Sequence, residues 1–144
     1  MEYAPLQSND GHPVRCLVVD DSIFARKNLA KMLNSFGVEV VGEAGDGAAA
    51  LAEYRRCTPD VVLMDITMPK VEGLEALQRI IDFDPRARVV MVSSVGYQEN
   101  IVTALQKGAR HFVQKPVNPS ILYEVLKYVI NDTAAQTAAV SVRS

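Results

Sequence analysis

Val61-Val62-Leu63-Met64-Asp65-Ile66-Thr67-Met68-Pro69 is the stretch from which the rest of the chain can be read. Four consecutive apolar residues mark a strand buried on both faces, and such a strand does not normally continue into a carboxylate, so Asp65 falls at its C-terminal edge. Open α/β sheets keep their ligand sites at that edge. Pro69 and Gly73 hold a loop open before the helical pattern that begins at Leu74, which leaves Asp65 at the mouth of a cleft.

Working outward, the same strand-then-polar pattern recurs. Val14 to Val19 is a β-rich run that ends in Asp20-Asp21, and Ser22 then offers a cap for a helix. In that helix Ile23, Leu29, Met32, Leu33 and Phe36 form one core-facing stripe, which Gly37 terminates. Val38 to Ala44 reads as a second strand, and Ala48 to Arg56 as a helix that stops before Pro59. Asp60 to Asp65 is the third strand, and Leu74 to Phe83 a helix with Leu74, Leu77, Ile80 and Ile81 inward. Val89 to Val92 is the fourth strand, ending in Ser93-Ser94. Tyr97 to Lys107 is amphipathic through Ile101, Val102 and Leu105, and Gly108 stops it. His111 to Gln114 is a short fifth strand that ends in Lys115-Pro116. From Pro119 to Asn131 a last helix carries Ile121, Leu122, Val125, Leu126, Val129 and Ile130 on one face.

Five strands alternating with five helices imply a doubly wound, five-stranded parallel sheet, because right-handed crossovers lay helices over both faces. With 144 residues and 49% hydrophobic content, one α/β domain of flavodoxin-like type is expected over residues 14–131. Residues 1–13 are polar, with turn-prone Asn9-Asp10-Gly11, and read as a flexible N-terminal arm. Residues 132–144 are rich in Ala, Thr and Ser and read as a disordered tail or the start of a linker.

Composition narrows the function. A net charge of −2, from 15 basic and 17 acidic residues, argues against direct nucleic-acid binding. No stretch is long enough to span a bilayer and no basic segment precedes an apolar run, so the expected location is cytoplasmic, without membrane insertion. Cys16 and Cys57 lack a C-x-x-C spacing and fit a reducing compartment, and His12 and His111 have no ligand-like neighbours.

The strand ends deliver Asp20, Asp21, Asp65, Ser93 and Lys115 to one edge of a parallel sheet. Three carboxylates brought close raise one another's pKa unless a cation lies between them, and hard oxygen donors suit Mg²⁺ or Mn²⁺. Lys115 adds a point charge and Ser93 a hydroxyl, both of which an incoming phosphoryl group needs beside a metal.

In these residues the chain resembles a response-regulator receiver domain, and more closely the stand-alone CheY type. The resemblance covers residues 14–131 and rests on Asp20-Asp21, Met64-Asp65-Ile66-Thr67-Met68-Pro69, Gly73, Val92-Ser93 and Lys115-Pro116. It implies that Asp65 takes a phosphoryl group from a phosphohistidine on a sensor histidine kinase or a histidine phosphotransfer domain. It also implies Mg²⁺ held by Asp21, Asp65 and the backbone carbonyl of Thr67, with Asp20 acting mainly through bound water. Lys115 would pair with Asp65 and then with its phosphoryl oxygens, aimed by a cis Lys115–Pro116 bond. Ser93 would swing to the phosphoryl group and Phe112 turn inward, repacking the face of the fourth helix, fifth strand and fifth helix for a downstream protein target. Ser stands where Thr is commoner in the family and Phe where Tyr is common, which implies a looser switch and less polar recognition. Chemotaxis and motility signalling is the implied context, with catalysis limited to self-phosphorylation and autodephosphorylation.

Plainer readings stand beside these. Asp-Asp after a strand is by itself a helix cap, Asp46 and Asp60 are turn and strand-entry residues, and Phe112 alone is half-buried packing. Thr67 and Val95 flank the site and could tune the lifetime of the phosphorylated form; Tyr97, Lys107 and Tyr128 could touch a partner or simply be solvated. As an alternative function, the chain is the receiver portion of a longer regulator with a methylesterase or DNA-binding effector. A flavodoxin-type FMN site would require a Ser/Thr/Gly-rich phosphate loop where Asp20-Asp21 stands, and an external phosphohydrolase commonly uses Asp-x-Asp where residue 67 is Thr.

Overall fold

The computed structural model describes residues 3–66, 72–94 and 98–131. The elements run β1 (Arg15–Val19), α1 (Ile23–Ser35), β2 (Glu39–Ala44), α2 (Gly47–Cys57), β3 (Val61–Asp65), α3 (Glu72–Phe83), β4 (Val89–Ser93), α4 (Gln98–Gln106), β5 (His111–Gln114) and α5 (Pro119–Asn131). The strands form one parallel sheet in the order β2-β1-β3-β4-β5. This is the single-domain, flavodoxin-like architecture expected from the alternating pattern. The chain builds outward from β1 to β2, then crosses to the other side of β1 to lay down β3. That reversal leaves a crevice between the C-terminal ends of β1 and β3, the place where open sheets bind ligands.

Strand side chains alternate between two cores. Cys16 and Val18 of β1 face a cluster closed by Leu29, Leu33 and Phe36 from the α1 side and by Leu122, Leu126 and Val129 of α5. Leu17 and Val19 face the opposite cluster, covered by Ala50 and Tyr54 of α2, Ala76, Leu77 and Ile80 of α3, and Ala104 of α4. Because both faces are covered, β1, β3 and β4 are almost uniformly buried. Each buried Val or Leu contributes about 1.5–3 kcal/mol relative to exposure, which makes these three strands the stable frame for whatever they carry at their ends.

The helix stripes are narrower than the periodicity implies. Ile23, Val102 and Ile121 were expected to face the core and are instead 51%, 54% and 56% exposed. Each lies at the margin of its apolar stripe, beyond the reach of the sheet. Ser22 caps α1 as expected, accepting a hydrogen bond from the Ala25 N–H (3.3 Å), whereas Asp46, read from the sequence as a turn residue, is the cap of α2 and accepts from the Ala49 N–H (2.8 Å). Asp60 accepts from the Arg15 N–H (2.8 Å), tying the start of β1 to the segment that enters β3.

The N-terminal segment corrects the reading of a flexible arm for residues 3–13. Tyr3 packs against Phe36 and Tyr123, with both ring centroids 4.8 Å away, and Leu6 is buried. The Leu6 N–H donates to the Phe36 carbonyl (2.9 Å), and the Tyr123 hydroxyl donates to the Ala4 carbonyl (2.7 Å). Asn9-Asp10-Gly11 is the turn that lets Gln7 bridge back to Pro13. Gly37, at φ 75°, ends α1 in the left-handed region, and a Cβ there would come 2.9 Å from the Pro5 Cβ, so the same glycine seats the segment. Three isolated anchors, Tyr3, Pro5 and Leu6, make no periodic pattern, and the polar residues between them conceal the contact. Residues 132–144, read as a tail, lie outside the described residues.

Leu6→Ala is expected to lower the unfolding free energy by about 2 kcal/mol and Tyr3→Ala by about 1 kcal/mol. Urea denaturation followed by circular dichroism measures both, and unchanged midpoints would mean that the segment is detached in solution.

Candidate functional site: an acidic cluster at the strand ends

Asp20 follows the last residue of β1 and Asp65 is the last residue of β3, and these neighbouring strands run in register with Val19 beside Met64. The ladders continue just past the strands, which fixes the backbone of both acids. The Asp20 N–H donates to the Ala44 carbonyl (3.0 Å), and the Ile66 N–H donates to the Val92 carbonyl (2.9 Å). Asp20 and Asp65 are only 1% and 2% exposed, whereas Asp21 lies at the surface. Each of the three offers a carboxylate oxygen within 4.8 Å of the others.

From beyond β4, Lys115 leaves the end of β5 and reaches both buried acids. Its Nζ lies 3.1 Å from Asp20 Oδ2 and 3.5 Å from Asp65 Oδ2. The expected Lys115–Asp65 pair is therefore half of a bridge, and Asp20 receives the shorter contact. The other Asp20 oxygen, Oδ1, accepts from the Ser22 N–H at 2.8 Å. Burial pulls the Lys115 ammonium down, but its hydrogen bond to Asp20 and the charges of Asp65 and Asp20 outweigh that, and its pKa stands above the ordinary lysine value. The Lys115–Pro116 peptide is cis, and the Lys115 N–H donates to the Ser93 carbonyl (2.7 Å).

Ser93 is fully buried at the end of β4, and its hydroxyl donates to the Ser94 carbonyl (3.0 Å) rather than to the acids. Phe112, on β5 beside Met91, is 38% exposed. Its ring faces a shallow groove of about 480 Å³ that Gln114, Ile121 and Val125 also line. Tyr128 of α5 is exposed and meets His111 edge-on, and Lys107 donates to Gln78 Oε1 (3.2 Å). Thr67, Val95 and Tyr97 lie outside the described residues.

The donor set decides what the cluster can hold. Three carboxylates with one ammonium between them leave a net negative site of hard oxygens, which fits a small divalent cation and disfavours soft metals. Gly73 completes the enclosure. A Cβ at that position would come 2.5 Å from the Asp65 carbonyl oxygen and 2.8 Å from the Ile66 Cα, so only glycine lets α3 press against the exit of β3.

A family model described as "Response regulator receiver domain" matches residues 16–127. The chain belongs to that family. It is 40% identical over 115 residues to the chemotaxis protein CheY of Thermotoga maritima, a match that covers 80% of this chain and 96% of the relative. It is also 47% identical over 106 residues to a protein-glutamate methylesterase/protein-glutamine glutaminase of Myxococcus xanthus, where the match covers 72% of this chain and only 30% of the relative. Among solved structures, the CheX–CheY–BeF3–Mg²⁺ complex of Borrelia burgdorferi superposes with a TM-score of 0.78 at 36% identity, covering 84% of this chain and 92% of that one. The protein is thus a CheY-like receiver, a response regulator module of two-component chemotaxis signalling, and a signalling protein by family. No helix among the described residues is long and apolar enough to cross a membrane.

Sequence reasoning did not single out Arg26 and Glu43. Arg26 Nη1 donates to the Asp20 carbonyl (2.6 Å) and its Nε donates to Glu43 Oε1 (3.0 Å). The signal was there, since a helix that starts beside Asp20-Asp21 must carry its next-turn residue under the acidic pair, but a basic residue on an amphipathic helix reads as solvated.

Removing one charge from the cluster separates its two effects. Asp21→Asn relieves like-charge repulsion worth about 1 kcal/mol at a wet site, so the metal-free protein melts a few degrees higher. Mg²⁺ is expected to raise the melting temperature of the wild type and to raise that of this variant less. Differential scanning calorimetry with and without Mg²⁺ checks both directions, and a variant that melts lower without metal while keeping the full Mg²⁺ shift would refute the cluster as a cation site.

Proposed function

We propose that this chain is the phosphoacceptor of a two-component chemotaxis pathway, with Asp65 as the residue that carries the phosphoryl group. One observation carries the reading: Asp20, Asp21 and Asp65 converge at the crevice between β1 and β3 with the Lys115 ammonium beside them. An Asp65 carboxylate oxygen attacks the phosphorus of a phosphohistidine on a sensor kinase or histidine phosphotransfer domain. The new P–O bond forms as the P–N bond breaks, and the electron pair returns to the imidazole. Lys115 offsets the repulsion between the anionic nucleophile and the phosphoryl oxygens. Autodephosphorylation reverses the charge state: water attacks phosphorus, the P–O bond to Asp65 breaks, and the free carboxylate and inorganic phosphate are restored.

Mg²⁺, or Mn²⁺ in its place, is the metal this donor set fits; Asp21, Asp65 and the Thr67 backbone carbonyl would hold it, and Asp20 would act through water. When bound it supplies the positive charge that lets two anions approach. The Borrelia relative carries Mg²⁺ and BeF3 in its structure, which supports this choice. Output runs through the face of α4, β5 and α5. Ser93 turns from the Ser94 carbonyl toward the phosphorylated Asp65, Phe112 moves into the space this opens, and a protein target reads the change. Val102, Phe112, Ile121 and Tyr128 give these three elements an apolar, exposed character that suits protein recognition and not nucleic acid. That same relative is complexed with CheX, in line with a protein as the target. The reading places the protein in the cytoplasm, with no chemistry on external substrates.

A second reading, the receiver portion of a longer regulator, is favoured by the identity to a methylesterase that is more than three times the matched length. The size of the native gene product, measured by immunoblot, separates the two.

Intact mass after incubation with Mg²⁺ and acetyl phosphate tests the central reading. One added phosphoryl group is expected for the wild type and none for Asp65→Asn or for a metal-free sample. An adduct that persists in Asp65→Asn would move the acceptor elsewhere, and no adduct with any donor or metal would leave only a receiver-shaped scaffold.

A further inference from the structure

Asp20 is held at every polar atom. Its N–H donates to Ala44, its Oδ1 accepts from the Ser22 N–H, and its Oδ2 accepts from Lys115. Its carbonyl oxygen lies past the end of β1, where it accepts from Arg26 Nη1 at 2.6 Å. That oxygen belongs to the peptide joining Asp20 to Asp21, and a peptide is planar. Whatever holds the oxygen therefore sets the direction in which Asp21 leaves the chain. Asp21 is the exposed member of the acidic cluster, without the burial that locks Asp20 and Asp65, so its aim depends most on its backbone.

Arg26 is itself held in place. Its side chain is 18% exposed, and its Nε donates to Glu43 Oε1 at 3.0 Å, so one planar fork spans α1, the exit of β1 and the end of β2. A Cβ at Gly45 would come 3.3 Å from Arg26 Nη1, and the glycine leaves the guanidinium its place.

We propose that Arg26, oriented by Glu43, is a positioning residue for the cation site: by holding the Asp20 carbonyl it fixes the peptide that aims the Asp21 carboxylate at Asp20 and Asp65. It touches neither the cation nor the phosphoryl group. The inference rests on the reading of the acidic cluster as a divalent-cation site, and it deepens that reading.

Charge and geometry predict opposite signs, which makes the role testable. A guanidinium near a cation site repels the cation, so deleting its charge should tighten binding if charge is all that Arg26 contributes. Positioning predicts weaker binding. Mn²⁺ affinity of the full chain, read from the free-ion electron paramagnetic resonance signal, is measured for wild type, Arg26→Gln, Arg26→Lys and the double variant Arg26→Gln/Glu43→Gln, alongside metal-free melting temperatures. Arg26→Gln is expected to weaken Mn²⁺ binding about 10-fold, as losses of groups that orient metal ligands do. Arg26→Lys keeps the charge but cannot hold both partners, and should fall between wild type and Arg26→Gln. The Glu43 change should add little on top of Arg26→Gln, because its action passes through Arg26. Should Arg26→Gln fail to fold, Arg26→Lys with a metal-free melting temperature near wild type carries the test, and its affinity must still drop. Equal or tighter Mn²⁺ binding in a folded Arg26 variant would overturn the positioning role alone. A wild type that binds no Mn²⁺ would overturn the cation site and this inference with it.

Discussion

Two nearly water-free carboxylates share one ammonium, and most of the molecule can be understood as what makes that tolerable. Taking a carboxylate out of water costs several kcal/mol even after relaxation, and the attraction of a buried pair offsets this only when geometry is good and the remaining lone pairs are filled. Asp20 meets the condition through Lys115 on one oxygen and the Ser22 N–H on the other. The Ser22 hydroxyl meanwhile caps the same helix at the Ala25 N–H, so the turn that begins α1 and the turn that satisfies the acid are one structure. The two apolar clusters on either side of the sheet supply the burial that keeps β1, β3 and β4 from yielding to the repulsion at their ends.

How much of this could be read from the sequence follows from which signals are local. An apolar run that stops at a polar side chain is local, and Asp65, Asp20 and the end of β4 at Ser93 follow from it directly. Convergence is not local, yet a parallel sheet makes it cheap to infer, because all strand ends point one way. What stays hidden depends on distance between elements. Ile23, Val102 and Ile121 fit an apolar stripe, but periodicity gives the middle of a stripe and not how far the sheet reaches over its edge. The docking of residues 3–13 rests on Tyr3, Pro5 and Leu6 meeting Phe36, Gly37 and Tyr123, partners thirty or more residues away with no repeating pattern to announce them. Arg26 is hidden for a similar reason, since its partners are a backbone carbonyl and a glutamate from another element.

The elements around the acidic cluster are not equally constrained. On the β1 and β3 side, Gly73 brings α3 against the backbone of Asp65 and Ile66, while Arg26 ties α1 to the exit of β1 and the end of β2. On the β4 and β5 side the fit is shallower. β5 has four residues of which only Val113 is buried, and Phe112 faces a groove instead of the core.

That asymmetry says where a change of charge at Asp65 can be absorbed. Lys115 is bound to the acids through its ammonium and to Ser93 through its N–H, so the strand that carries the counter-charge is the same strand that carries Phe112. A phosphoryl group on Asp65 would add negative charge and volume beside a rigid wall and a compliant one, and packed interiors resist small continuous deformations. Displacement would then fall on β5 and its groove. Since β5 lies at the edge of the sheet with β4 as its only strand neighbour among the described residues, it can shift without breaking a second ladder, which gives the proposed output face its mechanical basis in the strand order itself.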